Sequence, residues 1–187
     1  MAVKWWEWWK VLPDDERQQW RLDPSASVGP LRFDSSPGEV SRALSSVTDD
    51  SQVDAHGRDV GKAASVIEEG TYREFGLHLY YREERLAAVV VNARLGPQVF
   101  ADGVALVGRV PSVLERWLLD RGEAGPPGDE CTYMGAGIPG SESLGAWIDV
   151  QRAGDHLLTR PVFVSRETMD DLSHFLPRHA WSACDPH

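Results

Sequence analysis

From Val28 to Val40 the chain reads as a short strand, a tight turn and the start of a helix. Leu31 and Phe33 alternate with Arg32, which makes one face apolar and the other polar. Ser36 is a good N-cap, and Pro37 takes the first helical position, where a missing N–H costs nothing. Glu39 stands three residues after Ser36 and can close a capping box. Val40, Ala43, Leu44 and Val47 then recur at helical spacing. Downstream, Phe75, Leu77, Leu79 and Tyr81 alternate with Gly76, His78 and Tyr80, the pattern of a half-buried strand. Arg82-Glu83-Glu84-Arg85 is a polar hairpin turn, and the apolar run Leu86 to Ala93 fits a central strand. Leu95-Gly96-Pro97 ends it. Val99-Phe100 and Val104 to Val107 predict another strand, bent at Asp102-Gly103. Pro111 opens a second helix with Val113, Leu114, Trp117 and Leu118 on its buried stripe and Gly122 as its C-cap.

Residues 122–129 form a linker loop. Cys131 to Met134 is a short strand candidate, Gly135 to Gly140 a glycine-rich turn, and Leu144 to Gln151 an alternating strand. His156 to Ser165 follows as a strand around Pro161-Val162-Phe163-Val164. Ser165 caps a last helix with Met169, Leu172, Phe175 and Leu176 on its apolar face; Pro177 stops it, and 177–187 is a tail. At the other end, Trp5, Trp8, Trp9 and Leu12 share one helical face, with Trp6 to the side. Pro13-Asp14-Asp15-Glu16 predicts a fresh helix reaching Leu22, because Asp23-Pro24 disfavours helix. Residues 1–24 are therefore a tryptophan-rich helical segment. Its tryptophans either pack on the sheet or anchor a partner, as tryptophan does at interface hot spots. Residues 45–70 are poor in apolar positions and read as a long surface loop carrying Asp49, Asp50, Asp54, Asp59, Glu68 and Glu69 against Arg58 and Lys62. The expectation is a single α+β domain over 1–187. Its mostly antiparallel sheet has about five to seven strands, with helices packed on one face.

Composition narrows the class. A chain of 187 residues, 42% hydrophobic and 26% charged, is long enough to bury a core without disulfide or metal. Acidic residues number 29 against 19 basic, a net charge of -10. That argues against nucleic acid as a partner and favours a basic protein, or simple solubility. Cys131 and Cys184 are too few for a disulfide framework and read as free thiols of a reducing cytoplasm. Met1 to Lys10 does not read as a signal peptide, and no run approaches a membrane span, so cytoplasmic location with no membrane partner is expected.

No stretch spells out a chemistry. Gly135-Ala136-Gly137-Ile138-Pro139-Gly140 has the look of G-x-G-x-x-G but is followed by a strand-like run, so it reads as a β–β turn. His174, His179, Cys184 and His187 match no compact zinc spacing. There is no G-x-S-x-G elbow. His78, beside Tyr80, is the best site histidine, although a structural histidine is the commoner reading. No catalytic residue, metal or cofactor is expected.

The opening stretch resembles V-G-P-[IL]-x-F-G-M-[ST]-P-x-E-V, a motif of small bacterial proteins that look like immunity proteins of polymorphic toxin systems. Val28, Gly29, Pro30, Leu31, Phe33, Ser36, Pro37, Glu39 and Val40 carry the match, and Gly103 to Gly108 is similar to a strand segment that follows the motif. Asp34-Ser35 stands where Gly-Met is usual. The resemblance implies a non-enzymatic immunity or inhibitor protein that occludes a cognate toxin or effector domain of basic character. Asp49, Asp50, Asp54, Glu68 and Glu69 would steer that partner, and Trp5 and Trp6 would anchor it. The alternative is a small-molecule-binding or enzymatic α+β domain with a pocket near His78, Tyr80 and Tyr81. A third reading is an assembly module.

Overall fold

The computed structural model describes residues 9–47, 56–59, 67–135, 137–171 and 176–181, with the backbone alone at 56–59, 67–69 and 178–179. The strands are β1 (Gln19–Asp23), β2 (Ser27–Val28), β3 (Leu31–Arg32), β4 (His56–Asp59), β5 (Ile67–Tyr72), β6 (Leu77–Arg82), β7 (Arg85–Val91), β8 (Gln98–Ala101), β9 (Val104–Ala105), β10 (Cys131–Met134), β11 (Ile138–Ser141), β12 (Ala146–Ala153) and β13 (His156–Val164). The helices are α1 (Pro37–Ser45), α2 (Pro111–Ala124), α3 (Arg166–Met169) and α4 (Arg178–Trp181). The class is α+β, with the strands distributed over two sheets. A five-stranded sheet runs β3-β2-β1-β8-β9, and an eight-stranded sheet runs β10-β11-β12-β13-β7-β6-β5-β4. Among the described strands, only the β1–β8 pair is parallel.

The Val28–Val40 unit joins the two sheets. The Asp34 amide donates to Leu86 O at 2.9 Å, and the Leu86 amide returns a bond to Ser35 O at 2.8 Å. The turn between β3 and α1 is thereby sewn to the start of β7. Asp34 adopts φ +64°, a left-handed conformation that aspartate tolerates better than most residues. The capping box forms as its residues require. The Glu39 amide donates to the Ser36 hydroxyl, and the Ser36 amide donates to the Glu39 carboxylate at 2.8 Å. This backbone hydrogen bond holds the Glu39 carboxyl below its ordinary value of 4.5. The cap's contribution is therefore present above that value and is lost as pH falls through the lowered one. Ser36→Ala should cost about 1 kcal/mol, read as a lower urea midpoint at neutral pH, with the difference shrinking in acid.

The eight-stranded sheet divides two apolar layers. On one side Leu77, Leu79, Val89, Val91, Ile148 and Phe163 pack with Val40 and Leu44 of α1, Leu114 and Leu118 of α2, and Trp20 and Leu22 of β1. On the other, Tyr80, Ala88, Val90, Trp147, Val162 and Val164 meet Leu176 and Ala180. The strand expected to be half-buried is thus covered on its second face too, since Tyr80 is buried there. Residues 178–181, expected as tail, form α4, and Ala180 is fully buried.

Other departures have local causes. The helix expected from Pro13 to Leu22 is one 3-10 turn, Asp14–Glu16, followed by β1. Trp20 and Leu22 are buried while Gln19, Arg21 and Asp23 are exposed, a period of two that the acidic helix-start signal masked. α2 runs past Gly122 to Ala124, with Gly125 as its C-cap; Gly122 lies inside the helix, where a Cβ would come 3.1 Å from the Cys131 amide nitrogen. Val113, expected on the buried stripe, is 59% exposed. The Ser165 hydroxyl bonds the Thr168 hydroxyl at 2.8 Å rather than a helix amide. Leu172 and Phe175 lie outside the described residues.

Candidate functional site

Of the residues expected to meet a partner, Trp5, Trp6, Asp49, Asp50 and Asp54 lie outside the described residues. Glu68 and Glu69 sit in β5, not in a loop. Their register sets Glu68 opposite Asp59 and Tyr81, and Glu69 opposite Arg58 and Tyr80. β4, which carries Arg58 and Asp59, ends the large sheet. The expected loop over 45–70 is therefore corrected: it contains an antiparallel pair of strands. Periodicity missed it because an edge strand need not carry an alternating apolar face.

The alternative pocket near His78 does not gather around the tyrosines. Tyr80 and Tyr81 are both buried, and they fill opposite apolar layers. Burial pushes the Tyr72 hydroxyl up, so it remains a neutral phenol at neutral pH. An open groove of about 440 Å³ lies elsewhere, on the small sheet, lined by Gln19, Trp20, Arg21, Phe100, Asp102 and Gly103. Beside it, Arg121 of α2 acts as a hub. Its Nε meets Asp102 at 3.0 Å, and its Nη1 meets Asp129 at 3.4 Å and donates to the Ser143 hydroxyl at 2.9 Å. The hub ties α2 to the turns after β8 and β11, and its serines face a cation rather than a base. Sequence pattern could not reveal it, because these partners come from separate turns.

The remaining candidates are chemically quiet. Cys131 is a free thiol that burial pushes up, away from the nucleophilic thiolate. The Tyr133 hydroxyl donates to the Glu115 carboxylate at 2.9 Å, which pushes its pKa up to about 12. The glycine-rich segment is the β10–β11 hairpin, with Gly135 and Gly137 at positive φ and β11 following where a dinucleotide site needs a helix. Among the described residues no group of three or more His, Cys, Asp and Glu is placed to hold a metal ion. His174, Cys184 and His187 lie outside them. Among the described residues, no helix is long and apolar enough to cross a membrane.

Comparison with protein-family models, curated proteins and solved structures returned no match.

Proposed function

We propose that this chain is a non-enzymatic immunity or inhibitor protein that binds and occludes a basic toxin or effector enzyme through an acidic, aromatic surface, in the cytoplasm. The observation that carries this reading is the position of Glu68 and Glu69 in β5, one strand in from the end of the large sheet. The adjoining segment holds Asp49, Asp50 and Asp54, in a chain of net charge -10. A sheet end bearing acidic groups offers both a steering field and a backbone edge for a partner. The resemblance of Val28–Val40 to an immunity-protein motif points the same way. Asp34, which replaces the usual glycine, holds the left-handed backbone that a glycine favours.

The test is inhibition of a purified basic enzyme domain encoded in the neighbouring reading frame. Equimolar chain should abolish its activity. The association rate constant should fall about tenfold between low and high salt, and further with Glu68→Lys and Glu69→Lys. A rate indifferent to salt removes the steering role, and turnover of a metabolite by the chain itself overturns the reading. A small-molecule-binding function draws on one observation, the groove between Trp20 and Phe100, and predicts saturable ligand binding that Phe100→Ala removes.

A further inference from the structure

Away from the acidic sheet end, the start of α2 and the β12–β13 turn build a surface of opposite character. Val110, Val113 and Leu157 are 58%, 59% and 56% exposed, among the most open large apolar side chains described. They lie close together by backbone connectivity. The Val113 amide donates to Val110 O, and the Thr159 amide donates to Arg109 O at 2.9 Å, which brings the chain entering α2 against β13. Leu157 is two residues from Thr159, on the same face of β13 as Phe163, the face that α2 covers.

The charges around this patch are arginines. Arg152 stands opposite Leu157 in register and lies over the Trp9 ring at 5.9 Å. Arg94 lies over the same ring at 5.8 Å. Arg116 follows Val113 by one helical turn and is exposed. Among the described residues none of these three guanidinium groups has a carboxylate partner. The Arg152 Nε donates to the Gly154 carbonyl at 2.7 Å. Of the nearby acids, Asp14 pairs with Arg109 and Arg17 and Glu115 accepts from Tyr133, while Asp155 in the β12–β13 turn and Asp120 on α2 are exposed. In a chain with ten more acids than bases, three arginines without a carboxylate partner thus flank exposed aliphatic and indole groups.

We propose that this surface is a second docking site, separate from the acidic sheet end, for an acidic peptide segment of another protein that carries apolar side chains among its carboxylates. Arginine and tryptophan are the residue types that anchor interfaces. The aliphatic trio supplies the apolar centre, and the guanidinium rim selects carboxylates, bidentately where geometry allows. The proposal does not depend on inhibition of a toxin.

Selection from a displayed library of short random peptides tests it, using the full chain as bait. A folded variant carrying Leu157→Asp and Val113→Asp serves for counter-selection; both positions are exposed, so its melting temperature should match the parent's. The expected result is enrichment of peptides that combine Asp or Glu with Leu, Ile, Phe or Trp. Fluorescence anisotropy should then show their Kd rising about tenfold or more with Arg94→Glu plus Arg152→Glu. Enrichment that the variant shares, or peptides lacking acids, overturns the proposal. So does preferential binding of anionic phosphatidylglycerol vesicles or single-stranded DNA to this surface, or self-association of the chain that Leu157→Asp abolishes.

Discussion

Arg17→Met should lower the stability of the fold by about 3–5 kcal/mol, a large share of the ~5–15 kcal/mol that a domain commands. Arg17 is 5% exposed and donates to four backbone carbonyls: Leu12 through Nε at 3.0 Å, Gly96 through Nη1 at 2.6 Å, and Ala93 and Arg94 through Nη2 at 2.8 and 3.0 Å. Among the described residues no backbone amide donates to the Gly96 or Ala93 oxygens, so the guanidinium is the lock between the chain entering β1 and the chain leaving β7. Methionine fills much of the volume and supplies no donor, which leaves buried carbonyls at about 1–3 kcal/mol apiece. Burial lowers the Arg17 pKa, but guanidinium remains charged at any working pH. Arg17→Lys should recover less than half of the loss, since an ammonium cannot present the planar fork. Urea unfolding reads both results; a midpoint within error of the parent for Arg17→Met would show that water satisfies those carbonyls equally well.

Asp149→Ala is the second large effect, expected at about 3–5 kcal/mol. Asp149 and Arg160 face each other across β12 and β13, with side chains 5% and 7% exposed and 3.4 Å between Oδ2 and Nη1. Nη1 of Arg160 also donates to Ala180 O at 2.5 Å, so the pair holds α4 against the sheet. Losing the carboxylate takes the Asp149 counter-charge from a buried guanidinium, whereas Asp149→Leu with Arg160→Met removes both charges and should regain most of the stability. The pH dependence has a definite sign. Burial raises the Asp149 carboxyl above its ordinary 3.8, against the opposing pull of Arg160. The folded state therefore binds that proton more tightly than the unfolded chain, and stability from this group declines as pH rises through the raised value. Asp14 and Glu39 have lowered values and act in the opposite sense. Asp149→Asn should consequently steepen the loss of stability on acidification. An acid limb parallel to the parent's in circular dichroism would refute the assignment.

Signals confined to a few neighbouring residues are legible in the sequence. The Ser36-Pro37-Glu39 cap, the Arg82–Arg85 turn, the apolar β7 and the hairpins from Cys131 to Val164 all lie where their local chemistry puts them. Features that depend on distant partners are not. Nothing in the sequence around Arg17 marks it as buried, because three of its four carbonyls lie 76 to 79 residues away. The burial of Tyr80 depends on Leu176 and Ala180, and nothing near residue 80 announces them. The candidate site divides in the same way. Charge alone pointed to Glu68 and Glu69, but their strand became visible only through pairing with β4 and β6.

The pairing of β7 with β13 joins Val90 to Val162, about 70 residues later in the chain. A ribosome adding roughly 5–20 residues per second leaves β7 waiting some seconds for that neighbour. Through that interval Val89, Val90 and Val91 present an unzipped apolar margin, the kind of strand that nascent chains share with one another. Messages cut short before codon 156 should therefore yield sediment rather than a smaller soluble domain, and biosynthesis of this protein is expected to lean on whatever chaperone first greets the emerging β7.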